Sequence, residues 1–239
     1  MLKKLLSPPT IDWPGKFKQK LNVINNDTLI AYYSTPLPEG NKPIGEIEFL
    51  SMDFETTGLN PEKDDIISVG TVPFNLQRIF VNRAKYWTVR PREKLEEESV
   101  IIHGITHSDI LDAPDLSVVF EQILNEMAGK IIVVHCQQIE RQFFERALMT
   151  RINKGIEFPV VDTMVLESKI QQKLRGGIWH RLKGKKPQSI RLGACRQRYG
   201  LPAYPPHHAL TDAIATAELL QAQIAHHYDL QQAIEKFWQ

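Results

Sequence analysis

The spacing of apolar residues changes several times along the chain, and each change marks an element. Residues 47–55 (IEFLSMDFE), 66–74 (IISVGTVPF) and 78–91 (RIFVNRAKYWTVRP) are short β-rich runs separated by turn formers such as GLNPEKDD, a pattern that predicts three neighbouring antiparallel strands. Residues 116–129 and 139–152 carry apolar positions at helical spacing on either side of a compact apolar run, 130–136, that reads as a buried strand. Residues 158–163 predict a further strand. In 208–228, Ala and Leu recur every three or four positions, which predicts a long amphipathic helix. Strand alternating with helix implies an α/β fold with a covered sheet. Between Lys169 and Pro206, GG, GKKP and YPP punctuation predicts irregular structure around one helical stretch near residues 189–199.

The first 45 residues contain Pro8, Pro9, Pro14, Pro36, Pro38 and Pro43 around a short mixed segment, 17–33. The expected organisation is therefore an N-terminal extension (1–45), a main domain (46–228) and a short C-terminal helix (229–239). At 239 residues, 42% hydrophobic and 24% charged, the chain has enough apolar material for one substantial core. No apolar run is long enough to span a membrane, and the N-terminal run is broken by prolines. Cys136 and Cys195 are the only cysteines and lack metal-ligand spacing, which disfavours a disulfide framework or a zinc site and fits a reducing, cytoplasmic setting.

The formal charge of +1 predicts no particular partner, but its distribution is uneven. From Ser168 to Thr211 there is no acidic residue, while Lys169, Lys173, Arg175, Arg181, Lys183, Lys185, Lys186, Arg191, Arg196 and Arg198 all fall within it. Two readings stay open: a segment lying along phosphates, or a solvated face balanced by acids packed from elsewhere.

Asp53 and Glu55 flank Phe54 in an apolar strand, so period-two geometry points both carboxylates to one face. Neighbouring buried acids are costly unless a cation neutralises them, which favours a metal site. A solvated edge strand is the alternative. His207 and Asp212 stand five positions apart at the start of the long helix. That spacing suits a fixed ligand with a movable base, and without further context it reads equally well as an exposed loop histidine and a first-turn acid that stabilises the helix dipole.

With these residues in place, the sequence resembles the DnaQ-like (DEDD, histidine subtype) 3′–5′ exonucleases over roughly residues 46–228. DFETTGL, HGIT, VVHCQQIERQFF, VVDT and HHALTDA occur in that family's order and approximate spacing. The first motif, Asp-x-Glu followed by Thr and Gly, is matched by Asp53, Glu55, Thr56, Thr57 and Gly58, with Leu59 beside it. The third, H-x-A-L-x-D-A, is matched by His207, Ala209, Leu210, Asp212 and Ala213. The second departs: where the family usually reads V-x-H-N-A-x-F-D, this chain reads VVHCQQIE, with Cys136 in place of the asparagine and Glu140 in place of the aspartate.

The resemblance implies a ribonuclease H-like fold, a mixed five-stranded sheet flanked by helices. It also implies release of nucleoside monophosphates from a free 3′ end, most simply of single-stranded DNA. Asp53, Glu55, Asp212 and Glu140 would hold two divalent ions, Mg²⁺ or Mn²⁺, and His207 would act as general base. Thr56, Thr57, Gly58, Leu59, His103 and Phe143 would meet the terminal nucleotide. The terminal extensions would suit a polymerase or another protein partner. Alternatives are a nucleic-acid-binding homologue whose chemistry has lapsed, motivated by Glu140, and a proofreading or RNA-trimming role for the same chemistry.

Overall fold

The computed structural model describes residues 10–92, 107–174 and 188–239. Its centre is a five-stranded sheet of order β3-β2-β1-β4-β5, built from β1 (Phe49–Thr56), β2 (Ile66–Phe74), β3 (Lys85–Thr88), β4 (Ile131–Val134) and β5 (Val160–Asp162). The three expected strands pair antiparallel, β1 with β2 and β2 with β3, whereas β4 and β5 add in parallel on the other side of β1. All nine residues of β2 and all four of β4 are buried, as expected of strands covered on both faces.

The described helices are α1 (Trp13–Leu21), α2 (Asp27–Ser34), α3 (His107–Leu111), α4 (Leu116–Met127), α5 (Gln137–Ile152), α6 (Thr163–Leu174), α7 (Leu192–Arg198) and α8 (Ala209–His227). Side-chain alternation in β1 sorts two of them to opposite faces. Phe54 meets Phe144 of α5 edge to face, at a centroid distance of 5.8 Å, while Asp53 and Glu55 point the other way, toward α8. The neighbouring strands follow the same division. Trp87 of β3 hydrogen-bonds Gln122 of α4 at 3.1 Å, and the adjacent Tyr86 stacks on His208 at the start of α8.

Three elements differ from expectation. α6 occupies a stretch whose second half was expected to be irregular. Asp162 caps it, and Leu166 and Ile170 give it a buried face. The run 78–91 contributes only four residues to β3, because a 3-10 turn (Val81–Arg83) interrupts it. The final residues form a single 3-10 turn (Ile234–Lys236) instead of a helix.

Backbone pairing accounts for that last difference. Ile234 N–H donates to the Lys42 carbonyl, Ile44 N–H donates to the Gln232 carbonyl, and Gln239 exchanges hydrogen bonds with Val160 of β5. The Trp13 indole in turn donates to the Gln239 carbonyl at 3.1 Å. Residues 13–44 share the sheet's core through Trp13, Phe17, Leu29, Tyr32, Tyr33 and Ile44. Lys16 and Lys20 pair with Glu157, just before β5, and the Tyr33 hydroxyl both accepts from and donates to the Glu157 backbone. Among the described residues no helix is long and apolar enough to cross a membrane.

Candidate active site

The two acids of β1 meet a third from α8. Carboxylate oxygens of Asp53, Glu55 and Asp212 lie within 4.8 Å of one another, with Glu55 buried and the other two partly buried. Gly70 makes this approach possible. It is the register partner of Asp53 on β2, and a Cβ at Gly70 would fall 2.3 Å from the backbone of Ala209 and Leu210. Only a residue without a side chain lets the first turn of α8 settle onto the sheet here.

A fourth acid, from α5, lies near enough for its charge to act on Asp53. Glu140 is 2% exposed, and its Oε2 has no hydrogen-bond partner among the described residues. Burial, followed by the charges of Glu140, Glu55 and Asp212, pushes the Asp53 carboxyl well above the usual carboxylate range. Glu140 is thus the charged neighbour that Asp53 feels most. Burial likewise pushes the Glu140 carboxyl up to about 8, with the charge of Asp162 adding to it and a backbone amide opposing. Asp212 is raised mainly by burial, against the pull of the His207 amide.

Asp162, expected from the strand-end Asp-Thr pair to belong to the family pattern, joins two helix starts. Its carboxylate accepts from Cys136 and Gln137 at the start of α5, at 3.4 and 2.9 Å, and from Met164 and Val165 at the start of α6, at 2.8 and 3.2 Å. It thereby satisfies amides that the first turns of both helices leave unpaired, and it fixes the turn from which Glu140 projects. Cys136 occupies that turn with φ 105° and ψ 69°, a conformation that favours Gly or Asn.

His207 is exposed at φ 68°, and its N–H donates to Asp212 Oδ2 at 2.9 Å. The neighbouring His208 caps α8 through its ring and is held flat against Tyr86, at a centroid distance of 4.8 Å and an interplanar angle of 14°. His207 and Asp212 line one side of a cavity of about 780 Å³ that also includes Arg191.

The turn after β1 is tightly organised. Thr56 Oγ1 donates to the Gly58 carbonyl at 2.6 Å, Thr57 Oγ1 bonds Asp64 at 3.3 Å and accepts from Asp65 N–H at 3.0 Å, and a Cβ at Gly58 would strike the Asp64 carboxylate. Leu59 stands out from this turn, 83% exposed. Phe143, expected at the nucleotide, is instead enclosed in the core one helical turn after Glu140, because the inward face of α5 carries both residues. His103 and Gly104 lie outside the described residues.

The basic stretch divides into two groups. Arg196 is 3% exposed and bonds the Ala215 and Pro202 carbonyls and Glu218, and Arg198 pairs with the buried Glu167. These two are balanced by acids from outside the stretch. Arg191, Lys169 and Lys173 are exposed, and the remaining five lie outside the described residues. Gly70, the double cap of Asp162 and the Tyr86–His208 stack were not anticipated. A glycine inside an otherwise apolar strand was the one available signal, since it marks a close backbone approach.

With this geometry established, comparison with known proteins is decisive. The RNase T model, described as Exonuclease, matches residues 50–220. The chain belongs to this exonuclease family. A PolC-type DNA polymerase III from Thermotoga maritima is 29% identical over 176 residues, 73% of this chain but only 12% of that protein. DNA polymerase III subunit epsilon from Treponema pallidum is 25% identical over 182 residues, covering 76% of this chain and 78% of the relative. The first relatives matched are therefore far longer than this chain.

The fold is shared with the nuclease domain of 3′hExo, described as a DEDDh family member bound to rAMP. That match has a TM-score of 0.62 at 16% identity and covers 75% of this chain and 92% of that one. Exonuclease X in complex with 5′-overhanging duplex DNA gives 0.56 at 21% identity, covering 78% and 98%. The DnaQ-like resemblance and the mixed five-stranded α/β fold are thus both found in the protein.

Proposed function

We propose that this exonuclease removes nucleotides from the 3′ end of a single-stranded nucleic acid, DNA in the first instance, with two divalent ions. The observation that carries the reading is the meeting of Asp53, Glu55 and Asp212 within 4.8 Å, with a buried Glu140 oxygen that has no partner among the described residues acting on Asp53. Acids gathered where burial already disfavours the charge of Asp53, Glu140 and Asp212 are stable together when a cation takes up that charge. An all-oxygen, anionic donor set suits a hard cation, Mg²⁺ or Mn²⁺. When bound, such ions supply Lewis-acid activation of water and neutralise charge at the phosphate.

The chain's own residues do the rest. His207 lines the open cavity and accepts the proton of the attacking water. The hydrogen bond from its amide to Asp212 couples the base to a metal-holding carboxylate. Leu59, rigidly presented by the Thr56–Asp65 turn, offers an apolar surface against the last base. Glu140 keeps the charge and oxygen donors of the usual aspartate on a side chain one methylene longer, and its charge acts on Asp53, which favours functional substitution over lapsed chemistry.

The names of the relatives favour DNA as substrate and a polymerase as partner, and these extend to a cytoplasmic role in replication or repair. The clasped segments 10–45 and 229–239 offer a surface for such a partner. The test is a 5′-labelled single strand, as DNA and as RNA, with Mg²⁺, Mn²⁺ or EDTA. A ladder shortening from the 3′ end only with metal supports the reading, and the better strand gives the sugar preference. Release from the 5′ end, or no shortening of either strand, overturns it.

A further inference from the structure

A cluster of three lysines lies at the far end of α8 from the carboxylates. Lys169 and Lys173, four residues apart on α6, and Lys236 of the final 3-10 turn surround a cavity of about 480 Å³ floored by Leu166, Tyr228 and Phe237. All three lysines are exposed, and none forms an ion pair with a described residue. Lys173 stands over the Tyr228 ring at 5.2 Å. The acids nearby are committed elsewhere. Glu167 is taken by Arg198, Tyr199 and Gln223; Glu235 lies against Gly40; and Asp229 caps its own turn at Gln231 N–H.

Beside this cluster lies His227, whose imidazole is held below its ordinary range by burial and then by the charge of His226, with Glu167 opposing and Lys173 adding to the shift. The rings of Tyr199, His226 and His227 cluster there with centroids 5.6 to 6.1 Å apart. Cationic side chains beside aromatic faces are the combination that binds single-stranded nucleic acid without regard to sequence.

We infer that Lys169, Lys173 and Lys236 form an exosite for the phosphodiester backbone of the strand being trimmed, upstream of its 3′ end. The inference rests on the nuclease reading for the location of that end. Sixteen positions separate Asp212 in the first turn of α8 from Tyr228 just past its end, about 24 Å at helical rise, a span that a stacked strand covers in about seven nucleotides at about 3.4 Å each and a stretched strand in fewer. The exosite therefore acts on long strands and is silent on short ones.

The test compares the full chain with the triple variant Lys169→Ala/Lys173→Ala/Lys236→Ala and with the corresponding triple Lys→Arg variant. Binding of a 20-nucleotide and a 4-nucleotide single strand is measured in EDTA across salt concentrations, and hydrolysis of both is measured in Mg²⁺. The expected result is weaker 20-mer binding by the alanine variant, with a log K against log salt slope reduced by about 2, three phosphates at about 0.7 each. Arginine restores the slope, and binding and turnover of the 4-mer stay unchanged. An unaltered 20-mer slope overturns the exosite, as does an equal loss on both lengths. Lysine-dependent binding of an acidic protein but not of the 20-mer also overturns it. Lysine-dependent 20-mer binding without any hydrolysis by the wild type would retain the exosite and remove the nuclease reading instead.

Discussion

Gly70 of β2 lies against Ala209 at the first turn of α8, so closely that a Cβ would sit 2.3 Å from the Ala209 carbonyl carbon. Because Gly70 pairs with Asp53, this contact sets the separation between the β1 carboxylates and Asp212. Gly70→Ala is therefore expected to push α8 outward, cost about 1–3 kcal/mol as overpacking does, and reduce hydrolysis far more than nucleic-acid binding. Thermal melting together with a kcat and KM measurement checks it; normal kcat would show that the close approach is dispensable.

Glu140 ties stability to pH. Its folded-state carboxyl is raised to about 8, so without divalent ions the folded chain holds a proton that the unfolded chain releases near pH 4.5. Stability is then fully present below that value and is lost as pH rises toward about 8. Glu140→Gln is expected to flatten this loss, melting above wild type at pH 8 in EDTA while gaining less from added Mg²⁺. Melting curves at pH 5 and pH 8, with and without metal, decide the matter.

Asp115 behaves oppositely. Burial raises its carboxyl, but hydrogen bonds from Arg151 and from Ser117 outweigh that and hold it at about 2. A depressed acid contributes stability above its unfolded value near 4, and that stability is lost as pH falls toward about 2. Asp115→Asn should melt lower at neutral pH and show a shallower acid transition. Identical acid transitions would contradict the pairing.

Cys136 is strained at φ 105°, where the related family commonly carries asparagine. Cys136→Asn should stabilise the chain by about 1 kcal/mol with activity retained, whereas the β-branched Cys136→Val should destabilise it. Denaturant unfolding of the two variants gives the comparison.

Much of this was legible in the sequence because period and spacing carry it. The alternation of FLSMDFET placed Asp53 and Glu55 on one face, and the helical spacing of 208–228 placed Asp212 in its first turn. What was not legible depends on tertiary partners. The ion pairs of Arg196 and Arg198 come from Glu218 and Glu167, which lie beyond either end of the acid-free segment and are brought to it by folding. The final residues read as an amphipathic helix, but pairing with residues 40–45 and with Val160 holds them as one 3-10 turn. Phe143 was placed at the nucleotide by motif position, while its burial follows from the inward face of α5.

The most direct measurement is mononucleotide release from a single strand by wild type and by Asp53→Ala, with Mg²⁺ and with EDTA, alongside melting curves of both proteins. The cluster of Asp53, Glu55 and Asp212 predicts release that requires Mg²⁺ and is abolished in the variant while its fold persists. Release that continues in EDTA, or in a folded Asp53→Ala protein, would contradict a metal-holding active site at these acids.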